Sequence, residues 1–401
     1  MVIREIVTLL LENGCDPNGS TEIRPLSSAT EYGYPHIAEL LLKYNSDPDL
    51  SDKNNMSPLF IAASFNYSEI AKLLLKKKCD VNLSCKDTKT ALYIASLHNH
   101  IKIVELLLEY KCNIDICTTN NESPLLVASQ MNHKEIVKLL LENNCNPNIF
   151  NIYKESSLEV AIQEGHLDVV ELLLEYNCDT WNKGKDTDHD SPLLLALERL
   201  NALARLNTHR SNQYEIVELL LHNKCDPNIC NKDGQSPLHV AVAHRYRKLI
   251  LLLLQGNANP NLQDNESRTP LHIALEAYDT ESDDTAADDT ESDDTEADDT
   301  AADDTESDDT VAYDTEADDT EAVKLLLQDE ANPDIYDNEH CTPLLIASKH
   351  GHMDIIKLLL QYNCNPYICN NNDNELLCVV AYQWGREDIG DLLVNIDYHW
   401  V

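Results

Sequence analysis

Residues 136–148 read Ile-Val-Lys-Leu-Leu-Leu-Glu-Asn-Asn-Cys-Asn-Pro-Asn, and variants of this segment recur along the chain. Most neighbouring copies begin 33 residues apart. A fixed period of this length indicates a repeat protein, in which each unit packs mainly on its two neighbours. The copies begin at Ile6, Ile37, Ile70, Ile103, Ile136, Val169, Ile216, Leu249, Ala322 and Ile355, and a weaker one begins at Asp388.

A second segment, Ser or Thr followed by Pro-Leu, lies ahead of most copies. Ser and Thr are favoured at helix N-caps, and Pro is tolerated at the first helical position because the N–H there would be unpaired anyway. The fullest version, Thr-Pro-Leu-His-Ile-Ala at residues 269–274, resembles the hallmark of the ankyrin repeat, which has the same period. Related segments begin at Ser57, Thr90, Ser123, Ser191, Ser236 and Thr342.

The ankyrin resemblance implies an all-α solenoid of about ten helix-turn-helix units. It also implies that finger loops and first helices form a concave binding surface. The full repeats cover residues 19–278 and 322–395, and residues 396–401 form a tail. Residues 1–18 match only the second helix of a repeat. This half repeat is compatible with a truncated sequence and with an unusual terminal cap.

Two steps between copies exceed the period of 33 residues. The step from Val169 to Ile216 is 47, so 14 extra residues elaborate the repeat at residues 180–228, where residues 198–206 predict a lengthened helix. The step from Leu249 to Ala322 is 73, which leaves 40 extra residues. We assign these to an acidic insert at residues 279–321, between the two helices of one repeat.

The insert contains 22 Asp or Glu residues and no Lys or Arg. Its low hydrophobicity and unbalanced charge predict disorder. The same charge makes basic proteins candidate partners of this segment. Thr285 begins one of several Thr-x-x-Asp motifs of the kind that acidophilic kinases phosphorylate. Tandem copying of one unit would also multiply such motifs without giving them a role.

The net charge of the chain is -40, and -18 remains when the insert is left out. Such a surface disfavours nucleic acid, because affinity for phosphates comes mainly from Lys and Arg. The longest aliphatic run, residues 249–254, is far shorter than the roughly 20 residues that cross a bilayer, so we expect no membrane insertion. The first residues lack a secretory signal, which predicts a cytoplasmic location, with the nucleus as the alternative.

Seven of the 13 cysteines share one repeat position, which Ala258 and Ala331 occupy in two other copies. Interchange with Ala predicts small, buried free thiols and no metal site. In the ankyrin family, equivalent positions of neighbouring repeats also lie beyond the roughly 7 Å that a disulfide can bridge. The seven are Cys15, Cys79, Cys112, Cys145, Cys178, Cys225 and Cys364.

Four histidines, His100, His133, His166 and His352, share another position at the turn after the first helix. Their regularity predicts turn hydrogen bonds, because a catalytic histidine would stand alone. We find no catalytic, phosphate-binding or metal-binding motif in the sequence, so we predict no enzyme activity, no cofactor and no metal. The ankyrin resemblance additionally allows hydroxylation of Asn82.

The sequence therefore favours a protein-binding scaffold or adaptor that uses the concave ankyrin surface. The alternative is a regulatory or substrate-recruiting region of a larger signalling enzyme or ubiquitin ligase. Exposed aromatic residues often dominate binding energy, so Tyr153 and Tyr336 rank first among the candidate contacts. The full set, from fingers and first helices, is Lys53, Met56, Lys86, Lys89, Tyr153, Lys154, Tyr336 and His340.

Overall fold

The computed structural model describes residues 2–20, 24–179, 191–205, 211–276, 319–367 and 376–396. Most of the predicted acidic insert, including Thr285, lies outside these residues. So does the part of the elaborated repeat at residues 180–190, and so does the tail at 397–401.

All regular structure in the described residues is helical, which confirms the predicted all-α fold. One helix is followed by ten consecutive pairs, as the repeat spacing predicts. No described helix is both long and apolar enough to cross a membrane. The helices are α1 (Val2–Glu12), α2 (Pro25–Glu31), α3 (Pro35–Lys43), α4 (Pro58–Ser64), α5 (Ser68–Lys76), α6 (Ala91–Leu97), α7 (Ile101–Glu109), α8 (Pro124–Gln130), α9 (Lys134–Glu142), α10 (Ser157–Glu164), α11 (Leu167–Glu175), α12 (Pro192–Arg205), α13 (Ser211–His222), α14 (Pro237–Ala243), α15 (Arg247–Gln255), α16 (Pro270–Glu276), α17 (Asp319–Gln328), α18 (Pro343–His350), α19 (Met353–Gln361), α20 (Leu377–Gln383) and α21 (Glu387–Ile396).

The helices group into two compact units. The first unit holds α1 to α11, the second holds α12 and α14 to α21, and α13 has residues in each. Within each unit, successive first helices pack on one another and successive second helices do the same, as for α6 with α8 and α7 with α9.

The sequence motif begins most first helices in the way its chemistry predicts, whereas α2 and α20 follow Arg24 and Leu376 and have no side-chain cap. Before α8, the Ser123 hydroxyl accepts a hydrogen bond from the Leu126 N–H at 3.1 Å, and Pro124 occupies the first helical turn. The second helix α9 then ends at Asn143, and Asn144 has a left-handed backbone with φ of 61°. Asn tolerates this conformation better than most residues, so the chain can leave the helix there.

The second helices are apolar on too many sides for one neighbour to cover. In α9, Ile136 and Leu140 are 0% exposed, and the helix packs on α8, α7 and α11. Burial of one such side chain contributes roughly 1.5–3 kcal/mol, but only when both adjacent repeats are in place. Stability therefore comes from stacking, not from any single helix pair.

Helix α1 is covered only in part. Its Ile6 and Leu10 are 51% and 50% exposed, whereas the equivalent Ile70 and Leu74 of α5 are 1% and 0% exposed. The difference follows from position, because α1 packs on α3 and no described helix lies on its other side. The predicted half repeat is thus a helix with one uncovered apolar face.

The elaborated repeat has longer helices than its neighbours, and α12 contains most of the lengthened helix predicted at residues 198–206, whereas the longer α13 was not predicted. Helix α12 has 14 residues where α8 has 7, and α13 has 12 where α9 has 9. At the other irregularity, α17 already begins at Asp319, so the last three residues assigned to the acidic insert belong to its first turn. Acidic residues are favourable there because a helix N-terminus carries partial positive charge.

A ladder of Asp and Asn side chains links consecutive repeats within each unit. The Asn82 Oδ1 accepts a hydrogen bond from the backbone N–H of Asn113 at 2.7 Å. The Asp115 Oδ1 accepts in the same way from Asn146, at 2.9 Å. We call this the Asx ladder. Its acceptors are Asn18, Asp49, Asn82, Asp115 and Asn148 in the first unit, and Asn228, Asn261 and Asp334 in the second.

The Asx ladder continues from the repeat before the acidic insert to the repeat after it. Six of its rungs join residues 31 apart, such as Asn228 and Asn259, but the rung from Asn261 to Asn332 joins residues 71 apart. The difference is 40 residues, the length of extra sequence that the repeat spacing predicts.

The repeated cysteines are mostly buried, as predicted. Cys79, Cys145, Cys178, Cys225 and Cys364 are buried and Cys112 is half-buried. The prediction is wrong for Cys15, which is exposed. It follows α1, and no described helix covers the outer side of that helix. Each of these cysteines is a free thiol.

We expect Asn82→Ala to lower the free energy of unfolding by about 1 kcal/mol, because the Asn113 N–H loses its acceptor. Asn82→Asp is the matched control and should stay within about 0.5 kcal/mol, since Asp serves as the acceptor at Asp49 and Asp115. Urea denaturation followed by circular dichroism measures both. Equal losses in the two variants would contradict the ladder.

We expect Cys145→Ala to change stability by less than about 1.5 kcal/mol, as for exchange of one small apolar side chain for another. Burial raises the pKa of the Cys145 thiol to about 12, so the side chain stays neutral. Thermal denaturation tests the stability, and metal analysis of the purified protein tests the free thiol. Zinc that is present in the native protein and lost in the variant would overturn this interpretation.

Candidate partner-binding surface

Most of the described fingers are turns held by one side chain. The Asn151 Oδ1 accepts hydrogen bonds from the backbone N–H groups of Tyr153 and Glu155, both at 2.9 Å. The Asn151 N–H donates to the Glu155 carbonyl at 3.0 Å, which closes the loop. The fingers comprise residues 52–56, 85–89, 118–122 and 151–155 in the first unit and 231–235, 264–268 and 337–341 in the second.

Neighbouring fingers are also tied to one another by their backbones. In the first unit, the Ile152 N–H donates to the Asn120 carbonyl at 3.0 Å. In the second unit, the Asn265 N–H donates to the Asp233 carbonyl at 2.9 Å. A surface ordered in this way loses little conformational freedom when a partner binds, which favours affinity.

The eight predicted contact residues all lie in or at the base of fingers. Lys53, Lys86, Tyr153, Lys154 and His340 are exposed at finger tips, and Lys154 and His340 have left-handed backbones. The structure brings the first six together on one unit and places Tyr336 and His340 on the other. The half-buried members of the first unit are Met56 and Lys89.

The two predicted aromatic anchors differ in exposure. Tyr153 is 66% exposed at a finger tip, whereas Tyr336 is 40% exposed at the base of its finger. The backbone carbonyl of Tyr336 accepts a hydrogen bond from the Gln263 side chain at 3.1 Å. Tyr153 therefore offers the larger contact area.

Ile152 is the residue that sequence reasoning missed. It is 56% exposed beside Tyr153, so that this tip presents two large apolar side chains to solvent. The signal in the sequence was a departure from the pattern, since Lys53, Lys86 and Thr119 occupy the equivalent positions. Adjacent exposed apolar and aromatic side chains are typical of binding hot spots.

The finger at residues 85–89 lacks the side chain that orders the others. Cys85 stands where Asp52 and Asn151 accept two N–H groups. Asp87 and Thr88 both take left-handed backbones, with φ of 68° and 56°. This finger carries Lys86 and Lys89, and the Lys89 ammonium lies 5.9 Å from the centre of the Tyr93 ring.

The finger tips of the two units differ in charge. In the first unit they carry Lys53, Lys86 and Lys154 next to the apolar pair. In the described fingers of the second unit the position equivalent to Tyr153 is acidic, at Asp233, Glu266 and Glu339, whereas in the first unit it is acidic only at Asp87. The two units therefore present partners with chemically different edges.

A partly buried arginine network lies at the base of one finger of the second unit. The Arg268 guanidinium contacts the Asp264 carboxylate at 2.9 Å and the Glu266 and Glu276 carboxylates at 3.0 Å each. Burial raises the pKa of Glu276, although Arg268 opposes this shift. Arg268 is engaged on three sides, so its charge orders the finger and is not offered to a partner.

The motif histidines His239 and His272 join consecutive fingers. The His239 Nδ1 accepts from the Ser236 backbone N–H at 3.1 Å, so the proton resides on Nε2, which donates to the Arg268 carbonyl at 3.0 Å. His272 makes the same contacts with Thr269 and Cys341. Burial lowers the pKa of both imidazoles, which keeps them neutral.

The turn histidines form hydrogen bonds, but these bonds reach back to the preceding repeat. The His100 Nδ1 lies 2.7 Å from the Ala63 carbonyl oxygen, and the His133 Nε2 lies 3.1 Å from that of Leu97. Among the residues the structure describes, no three His, Cys, Asp or Glu side chains converge in the manner of a metal site. Asn82 is half-buried, with its Oδ1 in the Asx ladder.

A family model described as ankyrin repeats (3 copies) matches the chain six times. The matched residues are 3–85, 26–118, 79–151, 110–184, 200–284 and 311–399. No curated protein sequence gives a match to this chain.

We expect His239→Gln with His272→Gln to flatten the loss of stability on acidification. Because burial lowers their pKa, both imidazoles bind fewer protons in the folded protein than in the unfolded chain below about pH 6.5. Stability therefore falls as the pH decreases through that window, by up to about 1.4 kcal/mol per pH unit and histidine.

Urea denaturation at pH 7.5 and pH 5.5 measures this difference. The double variant should be less stable at the higher pH and change less between the two. His340→Gln, at an exposed tip, is the matched control and should keep the wild-type dependence. An unchanged dependence in the double variant would show that other groups cause the acid sensitivity.

Proposed function

Because the chain belongs to the ankyrin-repeat family, whose repeats are protein–protein interaction modules, we propose that it is a non-catalytic scaffold or adaptor. The binding surface is the row of fingers, and its anchor is the finger tip formed by Ile152 and Tyr153. The observation that carries this proposal is the exposure of both side chains on a loop held by the Asn151 side chain and by the adjacent finger.

The physical argument rests on preorganisation and desolvation. Two large apolar side chains on an ordered turn can be buried by a partner without first being fixed in place. Lys154 adjoins this anchor, and Lys53 and Lys86 are exposed on other finger tips of the same unit. A partner surface with an apolar pocket and an acidic rim fits this edge. Rim charges mainly affect association rate and specificity, and the apolar anchor mainly affects affinity.

We expect Ile152→Ala with Tyr153→Ala to weaken partner binding at least about tenfold while leaving thermal stability unchanged, since both side chains are exposed. Quantitative affinity capture identifies the partner, and isothermal titration with the purified partner gives the dissociation constants.

The matched control is Thr119→Ala with Asn120→Ala, at the equivalent positions of the adjacent finger. This control should retain affinity within about threefold, because neither side chain is a large apolar group. Binding that is insensitive to substitution in every finger would contradict the proposal.

The alternative role, as a regulatory or substrate-recruiting region of a larger signalling enzyme or ubiquitin ligase, differs in the size of the native protein. The chain has a mass of 45.3 kDa. Mass spectrometry of the endogenous protein distinguishes the two roles, since a substantially larger mass supports the alternative.

The acidic run at residues 279–321 is proposed to attract basic proteins through electrostatics. Such attraction acts over a Debye length of roughly 8 Å at physiological ionic strength, so it should weaken as salt is added. We expect deletion of residues 282–321 to weaken binding to basic proteins and to keep the melting temperature within a few degrees. Unchanged binding to every basic partner tested would indicate a neutral tandem expansion.

A further inference from the structure

A basic groove runs along the second helices of the first unit, away from the fingers. It has a volume of about 450 Å³ and lies among α1, α3 and α5. Four of its nine lining residues are Arg or Lys, namely Arg4, Lys43, Lys76 and Lys77, and His36 also lines it. This concentration of positive charge contrasts with the net charge of -40 for the whole chain.

The basic side chains of the groove are not engaged by acidic ones. Within the part of the chain that the structure describes, no carboxylate lies within 4.0 Å of Arg4, Lys43, Lys76 or Lys77. Lysines elsewhere do form such pairs, as Lys134 does with Asp168 at 2.8 Å. The groove therefore presents charge that is available to a ligand.

The repeat pattern does not require these lysines. Lys43 and Lys76 are the last residues of α3 and α5, and the same position in α7, α9 and α11 is Glu109, Glu142 and Glu175. A cation at a helix C-terminus is favourable, yet three consecutive repeats of the same unit do without it. The basic groove is thus a local departure from the repeat.

The groove separates its charges into two groups. His36 is the second residue of α3 and Lys43 is its last, so the two residues are about 10 Å apart along the helix. Arg4, on α1, belongs to the same group as His36. Lys76 and Lys77, at the end of α5, belong to the same group as Lys43. An extended peptide covers about 10 Å with three residues.

Between the two groups the groove has an apolar floor. Leu40 and Leu42 are buried and Leu73 is half-buried, so a ligand backbone would lie on aliphatic side chains. The single acidic residue among the lining residues is Glu39, which is exposed. A ligand with apolar side chains between spaced carboxylates matches this arrangement.

We propose that this groove binds an extended acidic segment of a partner protein, with carboxylates about three residues apart that reach the two basic groups. This surface is distinct from the fingers, so one chain can hold two partners at once. A long nucleic acid is a poorer match, since the strongly negative chain repels an extended polyanion beyond the groove.

The test uses the full chain and a fluorescein-labelled synthetic peptide that is blocked at both ends and has a glutamate at every third position. Fluorescence anisotropy gives its affinity at low and at physiological salt. We expect Lys76→Glu with Lys77→Glu to weaken binding at least about tenfold, because two attractions become repulsions. Glu39→Gln should strengthen binding, because it removes the only carboxylate of the groove.

The matched control is Lys102→Glu with Lys138→Glu, which makes the same change of charge at exposed positions of α7 and α9 outside the groove. It should retain affinity within about twofold if binding is local. Equal loss in both double variants would show diffuse attraction and overturn the proposal. So would unchanged binding in Lys76→Glu with Lys77→Glu, or tighter binding of a single-stranded oligonucleotide of equal charge.

Two further measurements separate this groove from the fingers. Ile152→Ala with Tyr153→Ala should bind the acidic peptide as the native chain does. Thermal melts of all variants show whether the exposed substitutions leave the fold intact. If the finger variant lost the peptide while remaining folded, the peptide would bind at the fingers and the assignment to the groove would be wrong.

Discussion

The structure depends on one constraint, which is that each second helix is apolar on both sides and must be covered by two neighbours. A helix such as α9 is buried only because α7 and α11 flank it. Burial of this kind is additive along a stack and absent from any isolated pair. The partly exposed α1 illustrates the same constraint, since no described helix covers the other side of its apolar face.

Polar contacts fix the relative positions of these helices. The Asx ladder joins consecutive repeats within each unit on one edge, and the turn histidines and the buried motif histidines join repeats elsewhere. Each contact pairs a backbone group of one repeat with a side chain of its neighbour, and one such hydrogen bond contributes roughly 0.5–1.5 kcal/mol. Polar residues that recur at one position of the repeat therefore do so because they supply these hydrogen bonds.

The fold was predictable to the level of helix pairs because the 33-residue period can be read directly from the sequence. Helix starts followed from Ser-Pro and Thr-Pro, and the 40 extra residues followed from spacing alone. Cys15 was not predictable from its own repeat position, because its burial depends on a neighbouring repeat. Ile152 and the basic groove were missed for the opposite reason. A search for residues that agree among repeats overlooks the residues that differ from the repeat consensus. Those differing residues give a repeat protein its binding specificity.

The long connection between α16 and α17 affects the rate at which the second unit folds. The helices of an ordinary pair, such as α8 and α9, are separated by three residues, whereas 42 separate Glu276 from Asp319. Closing the longer connection costs about 2 kcal/mol more in chain entropy. Contacts elsewhere are local in sequence, which favours fast folding, so we expect docking of α17 onto α16 to be slower than formation of an ordinary pair. On a ribosome, α12 to α16 can complete their stack before α17 emerges.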